Sequence, residues 1–285
     1  MKFRGLSEKF AASAETSASM LAFAANSLFC RLALEQRRID PLSFATVRVI
    51  TAAATLALIV SPRWRAHGRR GGDWRSAAVL FAYMICFSLA YGSVSAGSGA
   101  LILFGAAQLT MIGAALRQGE AFPAAARTGF VIAILGLVYL VWPGITAPSP
   151  TGALLMAVAG LAWGLYSLLG RSANDALDAN ANNFLYLVPL MLLVSVVPSS
   201  TRHVSWTGVA LATASGTVAS GLGYVLWYRA QKRLSAISAA AVQLSVPVIA
   251  ALGGVLLLSE QITLRLLVAS CATLGGIGIV LASRR

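Results

Sequence analysis

Ten apolar stretches, most of them close to the roughly 20 residues that a spanning helix requires, account for nearly the whole chain of 285 residues. They lie near 14–34, 41–61, 75–93, 97–116, 125–142, 150–170, 182–198, 207–228, 235–258 and 264–283. None of the nine carboxylates falls at the centre of one. Water cannot be the solvent of such a chain. Only 11% of its residues are charged, against about 25% in an average soluble domain. In lipid every backbone polar group must be satisfied internally, so spanning segments with no alternating strand pattern are helices. The expected fold is an all-α membrane protein of ten transmembrane helices, with the lipid bilayer as its surroundings. The longest polar gap, Ser61 to Arg75, leaves no room for a soluble domain.

The formal net charge of +13 suggests nucleic acid until its distribution is examined. With the N-terminus cytoplasmic, sixteen Lys and Arg fall in inside segments and five in outside ones, and Arg48 lies within a span. That is the positive-inside bias. It predicts a multi-pass protein of the bacterial inner membrane with both termini cytoplasmic, and no nucleic-acid partner. Five of the six Trp (Trp64, Trp74, Trp142, Trp206 and Trp227) fall at expected helix ends, where belt anchors sit. Trp163 falls mid-helix. Cys30, Cys86 and Cys271 all fall in apolar stretches, which predicts packing thiols and no disulfide.

A shift of 140 residues aligns Phe23 with Trp163, Ser27-Leu28 with Ser167-Leu168, Arg31 with Arg171, Phe44 with Phe184, Glu120 with Glu260 and Gly136 with Gly276. Matches of Arg and Glu carry weight here because charges are scarce. Gln108 and Gln243 align only at a shift of 135. The repeat predicts two halves, 1–145 with helices 1–5 and 146–285 with helices 6–10. Five is odd, so the second half enters the membrane inverted. Inverted repeats are an architecture of secondary transporters, with a site between the halves near the midplane.

Two further elements carry a resemblance. Leu116-Arg117-Gln118-Gly119-Glu120 follows the fourth helix and Leu257-Leu258-Ser259-Glu260 follows the ninth. With ten helices in two halves and Arg48 in the second, the chain resembles the drug/metabolite transporter superfamily in its EamA branch. Within it the pattern is similar to YddG-like exporters of aromatic amino acids. Pro247 matches the Pro of the ninth helix; the fourth lacks its Pro, and also lacks the Trp-Pro element of those exporters. The resemblance implies transport by alternating access.

No catalytic constellation is visible. His67 and His203 fall in expected loops without neighbouring ligands, so neither metal nor cofactor is expected. A proton relay commonly needs an intramembrane Asp, Glu or His; Glu15, at the end of the first helix, is the nearest candidate. The expected substrate-binding residues are Trp163 and Phe23 for apolar contact. Asn26, Tyr83, Gln108 and Gln243 are expected to supply hydrogen bonds, since a buried amide without a partner costs on the order of 4 kcal/mol. Each has a plainer reading as glue between helices. Arg48 either meets a substrate anion or bonds helix-end carbonyls. Glu120 and Glu260 either gate through ion pairs or cap helix ends. Tyr91 reads as an outer gate or belt residue, and Pro247 as a kink that moves or stays fixed. The resulting expectation is a monomeric carrier, not an enzyme. It exports amino acids or similar small metabolites, driven by a gradient without a carboxylate relay. The alternatives are a carrier of another polar solute, such as a nucleotide sugar or a drug, and an intramembrane lipid-modifying enzyme.

Overall fold

The structure is a computed structural model that describes residues 2–119, 123–171, 173–196, 202–231, 234 and 242–283. Side chains are described from Ser13 onward, those of Arg171 and Gln231 excepted. Glu120 lies outside these residues. The elements are α1 (Lys2–Glu35), α2 (Pro41–His67), α3 (Trp74–Ala90), α4 (Ala96–Arg117), α5 (Ala124–Val141), α6 (Pro150–Arg171), α7 (Ala176–Val196), α8, α9 (Ser245–Leu258) and α10 (Leu264–Ala282). Here α8 denotes an α-helix over Trp206–Ala214, a π-helical stretch over Ser215–Leu222, and a resumed α-helix over Gly223–Gln231. Eight helices are long and apolar enough to cross a membrane; α3 and α9 are shorter apolar helices. The chain is an all-helical membrane protein, and the described residues contain only one isolated bridge, Ile39 to Val204. The boundary between 145 and 146 falls in the connection from α5 to α6.

Helix starts explain where the carboxylates go. Asp40 accepts from the Ser43 N–H at 3.0 Å with Pro41 opening the helix, and Asp73 accepts from the Ser76 N–H at 2.9 Å. Asp175 accepts from the Leu177 N–H at 3.0 Å. Each carboxylate satisfies donors that a helix leaves orphaned and sits at the positive end of its dipole. Carboxylates at these sites stay outside the apolar interior. α2 runs on to His67, so Arg63, Trp64 and Arg65 extend the helix where a loop was expected, and His67 is its last residue.

The main helix pairings form a regular set. α5 packs on α10, α2 on α7 and α4 on α9; α3 on α6 matches α8 on α1, α4 on α6 matches α9 on α1, and α2 on α8 matches α7 on α3. Renumbering each helix by five exchanges these pairs with one another. The same holds at residue level in the α5–α10 seam. A Cβ on Gly136 would come within 2.6 Å of Thr273 Oγ1, and one on Gly276 within 2.6 Å of the Ala133 backbone N. These two contacts are related by the 140-residue shift. Close backbone approach is the packing force available where lipid is as apolar as the side chains. Gly275 and Gly278, by contrast, face open space.

Large apolar side chains cover the outside, with Leu256 80% exposed. Such a surface needs lipid around it. Trp74, Trp142 and Trp206 are exposed at helix ends, but Trp227 is buried. Its belt reading from position alone is therefore corrected: it turns inward toward α1.

Candidate functional site

The interior is organised around Trp163, in the middle of α6. Its ring lies 5.2 Å from Tyr83 on α3, 5.4 Å from Tyr224 on α8 and 6.1 Å from both Phe23 on α1 and Tyr166 one turn along. Phe23 meets Trp163, Tyr224 and Trp227 edge-on, at 6.1, 5.7 and 6.0 Å. Edge-to-face pairs contribute about 0.5–1.5 kcal/mol each beyond area burial. Four helices thus meet through one aromatic cluster. Phe23 and Trp163, which the repeat aligns, touch each other in it.

This cluster walls a cavity of about 20 Å³ lined also by Asn26, Phe87 and Ala219. That volume is close to the space one water needs. The midplane site expected from sequence therefore has room for no solute in this conformation. Four of the six expected lining residues, Phe23, Asn26, Tyr83 and Trp163, are brought together here. Gln108 and Gln243 are buried outside the lining, and Gln243 Oε1 has no partner. Gln243 precedes α9, whose helix is interrupted at Leu244. Pro247 accounts for the break, because it lacks the N–H that would meet the Gln243 carbonyl.

The π-helical stretch of α8 makes part of this wall. A π segment inserts extra backbone into a helix and re-aims the side chains beyond it. Here Ala219 and Tyr224 reach the cavity, Ser220 reaches Arg48, and Ser215 donates to Asn26 Oδ1 at 2.6 Å. Arg48 is 0% exposed. Its Nε donates to Ser220 Oγ at 3.0 Å and Nη2 to the Tyr83 hydroxyl at 3.3 Å, and its guanidinium lies over the Phe87 ring at 4.8 Å. Among the described residues Nη1 has no partner, and neither do Trp163 Nε1 and the Tyr224 hydroxyl.

The bundle's two ends differ. At one, Glu260 accepts from Arg31 Nε at 3.0 Å and from the Ala96 N–H, at the start of α4, at 2.9 Å. Arg31 also donates to Glu35 at 2.8 Å and to the Tyr91 carbonyl at 3.2 Å. Tyr91 is wholly buried, 4.8 Å from the Phe87 ring, and does not face lipid. At the other end of α2 a polar vestibule of about 810 Å³ opens, lined by Arg63, Arg70, Asp73, Asp175 and Asn183 among others. Tyr166 links the vestibule to the cavity, its ring against Trp163 of the cavity and its hydroxyl bonded to Asn183 of the vestibule. Its hydroxyl donates to Asn180 Oδ1 at 2.7 Å and accepts from Asn183 Nδ2 at 3.2 Å. Asn183 Oδ1 in turn accepts from the Asp73 N–H at 3.0 Å, and Asn182 Nδ2 donates to the Arg70 and Gly71 carbonyls at 3.0 and 2.9 Å. Sequence reasoning passed over these asparagines, although three in four residues of an apolar helix is itself a signal. Among the described residues no His, Cys, Asp and Glu cluster suits a metal ion.

Residues 150–282 match the EamA-like transporter family. The chain is similar to an uncharacterised protein of Pseudomonas aeruginosa, with 48% identity over 266 residues and 93% of both chains covered. It is also similar to an uncharacterised transporter of Archaeoglobus fulgidus, at 25% identity with 90% of this chain and 94% of that one covered. For the uncharacterised transporter YoaV of Bacillus subtilis the figures are 22%, 84% and 86%. One chain of known crystal structure superposes with a TM-score of 0.65 at 18% identity, covering 94% of this chain and 97% of its own, a likeness of fold. A ten-helix bundle with these relatives belongs to the EamA-like transporter family, in the drug/metabolite transporter superfamily.

Proposed function

We propose that this transporter is a secondary carrier that exports amino acids or similar small metabolites across the bacterial inner membrane, its termini in the cytoplasm. Solutes with an aromatic or other flat apolar body suit it best. The observation that carries this reading is the aromatic cluster of Phe23, Tyr83, Trp163 and Tyr224 at the meeting point of four helices, with the Asn26 amide beside it. A small amphipathic solute needs an apolar box with few polar groups to orient it.

The exchange of helix pairs between halves, as a two-fold repeat would produce, supports alternating access. In this conformation Glu260 seals one end, and Tyr166 links the cavity to the vestibule at the other. Binding requires the cavity to widen, so the two halves must move. None of the described groups lining the cavity is a carboxylate, which supports transport driven by the gradient of the solute itself.

Counterflow in proteoliposomes loaded with L-phenylalanine tests the reading. Labelled phenylalanine should accumulate transiently, and Trp163→Ala should reduce the rate about tenfold or more, a loss within the cost of deleting a buried Trp. Equal exchange by wild type and Trp163→Ala, with both inserted normally, would remove the aromatic cluster from the path.

A further inference from the structure

We infer that Arg48 is the anion-binding residue of the central site, and that it receives the carboxylate of the solute. This rests on the carrier reading above and names the chemical group the carrier selects.

The first ground is charge. An arginine stays protonated in proteins, and Arg48 is fully buried. Among the described residues the ion pairs join Arg31 to Glu35 and Glu260, and Arg63 to Asp175; Arg48 is in none of them. Its partners are two neutral hydroxyls and the faces of Phe87 and Tyr83. Contacts with ring faces offset only part of what burying an uncompensated cation costs. A charge inside a span persists where function needs it.

The second ground is the sign of the unpartnered groups. Trp163 Nε1 and Arg48 Nη1 are both buried without a partner, and indole and guanidinium nitrogens can only donate. Trp163 lines the cavity, and the Arg48 guanidinium, which does not itself line it, lies over the faces of Tyr83 and Phe87, which do. Of the three unpartnered groups at or near the cavity wall, two can only donate and the third, the Tyr224 hydroxyl, can donate or accept, so an acceptor with several lone pairs would satisfy them. A carboxylate is that group, and it meets guanidinium in a two-pronged geometry.

The third ground is the backbone. The π-helical stretch places Ser220 on Arg48 Nε while the preceding Ala219 lines the cavity. Ser220 thus fixes the guanidinium through Nε, and Nη1 has no partner among the described residues.

The test compares three probes on purified protein by thermal shift. L-phenylalanine and 3-phenylpropionate carry the carboxylate, and phenethylamine lacks it. Both carboxylates should bind wild type about tenfold or more tightly than phenethylamine, the ratio that a charge-assisted hydrogen bond sets. Arg48→Gln should abolish that preference, and Arg48→Lys, with charge but no fork, should keep part of it. Should Arg48→Gln not fold, the three-probe comparison on wild type decides alone. Equal binding of phenethylamine and phenylalanine by wild type overturns the inference. So does an undiminished carboxylate preference in Arg48→Gln, or no stabilisation by any probe. Counterflow separates the two readings. Exchange without carboxylate preference removes Arg48 and keeps the carrier, whereas carboxylate-selective binding without exchange keeps Arg48 and removes the carrier.

Discussion

The two ends of the bundle are closed by different chemistry. At the Glu260 end a single carboxylate ties α1, the connection after α9 and the first turn of α4, through Arg31 Nε and the Ala96 N–H. At the Asp73 end the ties are mostly neutral: Asn182 and Asn183 hold the α2–α3 connection, Tyr166 bridges Asn180 and Asn183, and the one ion pair among the described residues there, Arg63 with Asp175 at 3.6 Å, is exposed. A charged clasp with both partners largely shielded is strong and local, and removing one partner strands the other. A set of neutral amide bonds is individually weak, near 1 kcal/mol each. Among the described residues, then, the Glu260 end is tied by a shielded ion pair and the Asp73 end by neutral bonds and one exposed ion pair.

Four substitutions sharpen or break that contrast. Glu260→Ala should have the largest effect, lowering stability by about 3 kcal/mol. It should also raise the labelling of Cys30, which is buried beside Arg31, by roughly tenfold or more, the factor that 1.4 kcal/mol sets. An impermeant maleimide on a Cys86→Ser, Cys271→Ser background measures it. Next comes Gly72→Ala. Gly72 has φ +80, and a Cβ there would lie 2.6 Å from Asn182 Cβ. The strain should cost about 1–3 kcal/mol in thermal unfolding and leave Cys30 shielded. Tyr166→Phe removes the hydroxyl between two amides and should cost about 1 kcal/mol, again with no change at Cys30. A rise in Cys30 labelling in either variant would mean that the ends are not separate devices.

The smallest effect belongs to Asp73→Ala, and it depends on pH. The Ser76 backbone N–H, then its hydroxyl, hold the Asp73 carboxyl below the usual carboxylate range. A depressed folded value means the cap stabilises at neutral pH and loses that contribution as pH falls through it. Asp73→Ala should cost about 1 kcal/mol near pH 7. The gap from wild type should close on acidification, as unfolding curves at neutral and strongly acid pH will record.

Much of the architecture was legible because lipid punishes exceptions. Asp40, Asp73 and Asp175 could only stand at helix starts, and the paired scarce residues Phe23 and Trp163 pointed to the centre. Trp227 was misplaced for a physical reason. Counting residues from a hydropathy boundary assumes a regular helix, and the π-helical stretch at Ser215–Leu222 changes which face follows it. Gln108 and Gln243 illustrate the opposite limit: an amide in an apolar helix must find a partner, but composition does not say whether that partner is a neighbouring helix or a solute. Arg48 was readable as an intramembrane charge; its lack of an ionic partner depended on packing from α3 and α8.

Accessibility at both ends tests the central claim most directly, that the two halves open the central site at one end at a time. Cys30 reports just inside the Glu260 clasp, and Asn174→Cys would report in the vestibule. The account predicts that Glu260→Ala raises labelling at Cys30 while lowering it at the vestibule cysteine. Labelling that rises at both positions together would describe an open pore and contradict it.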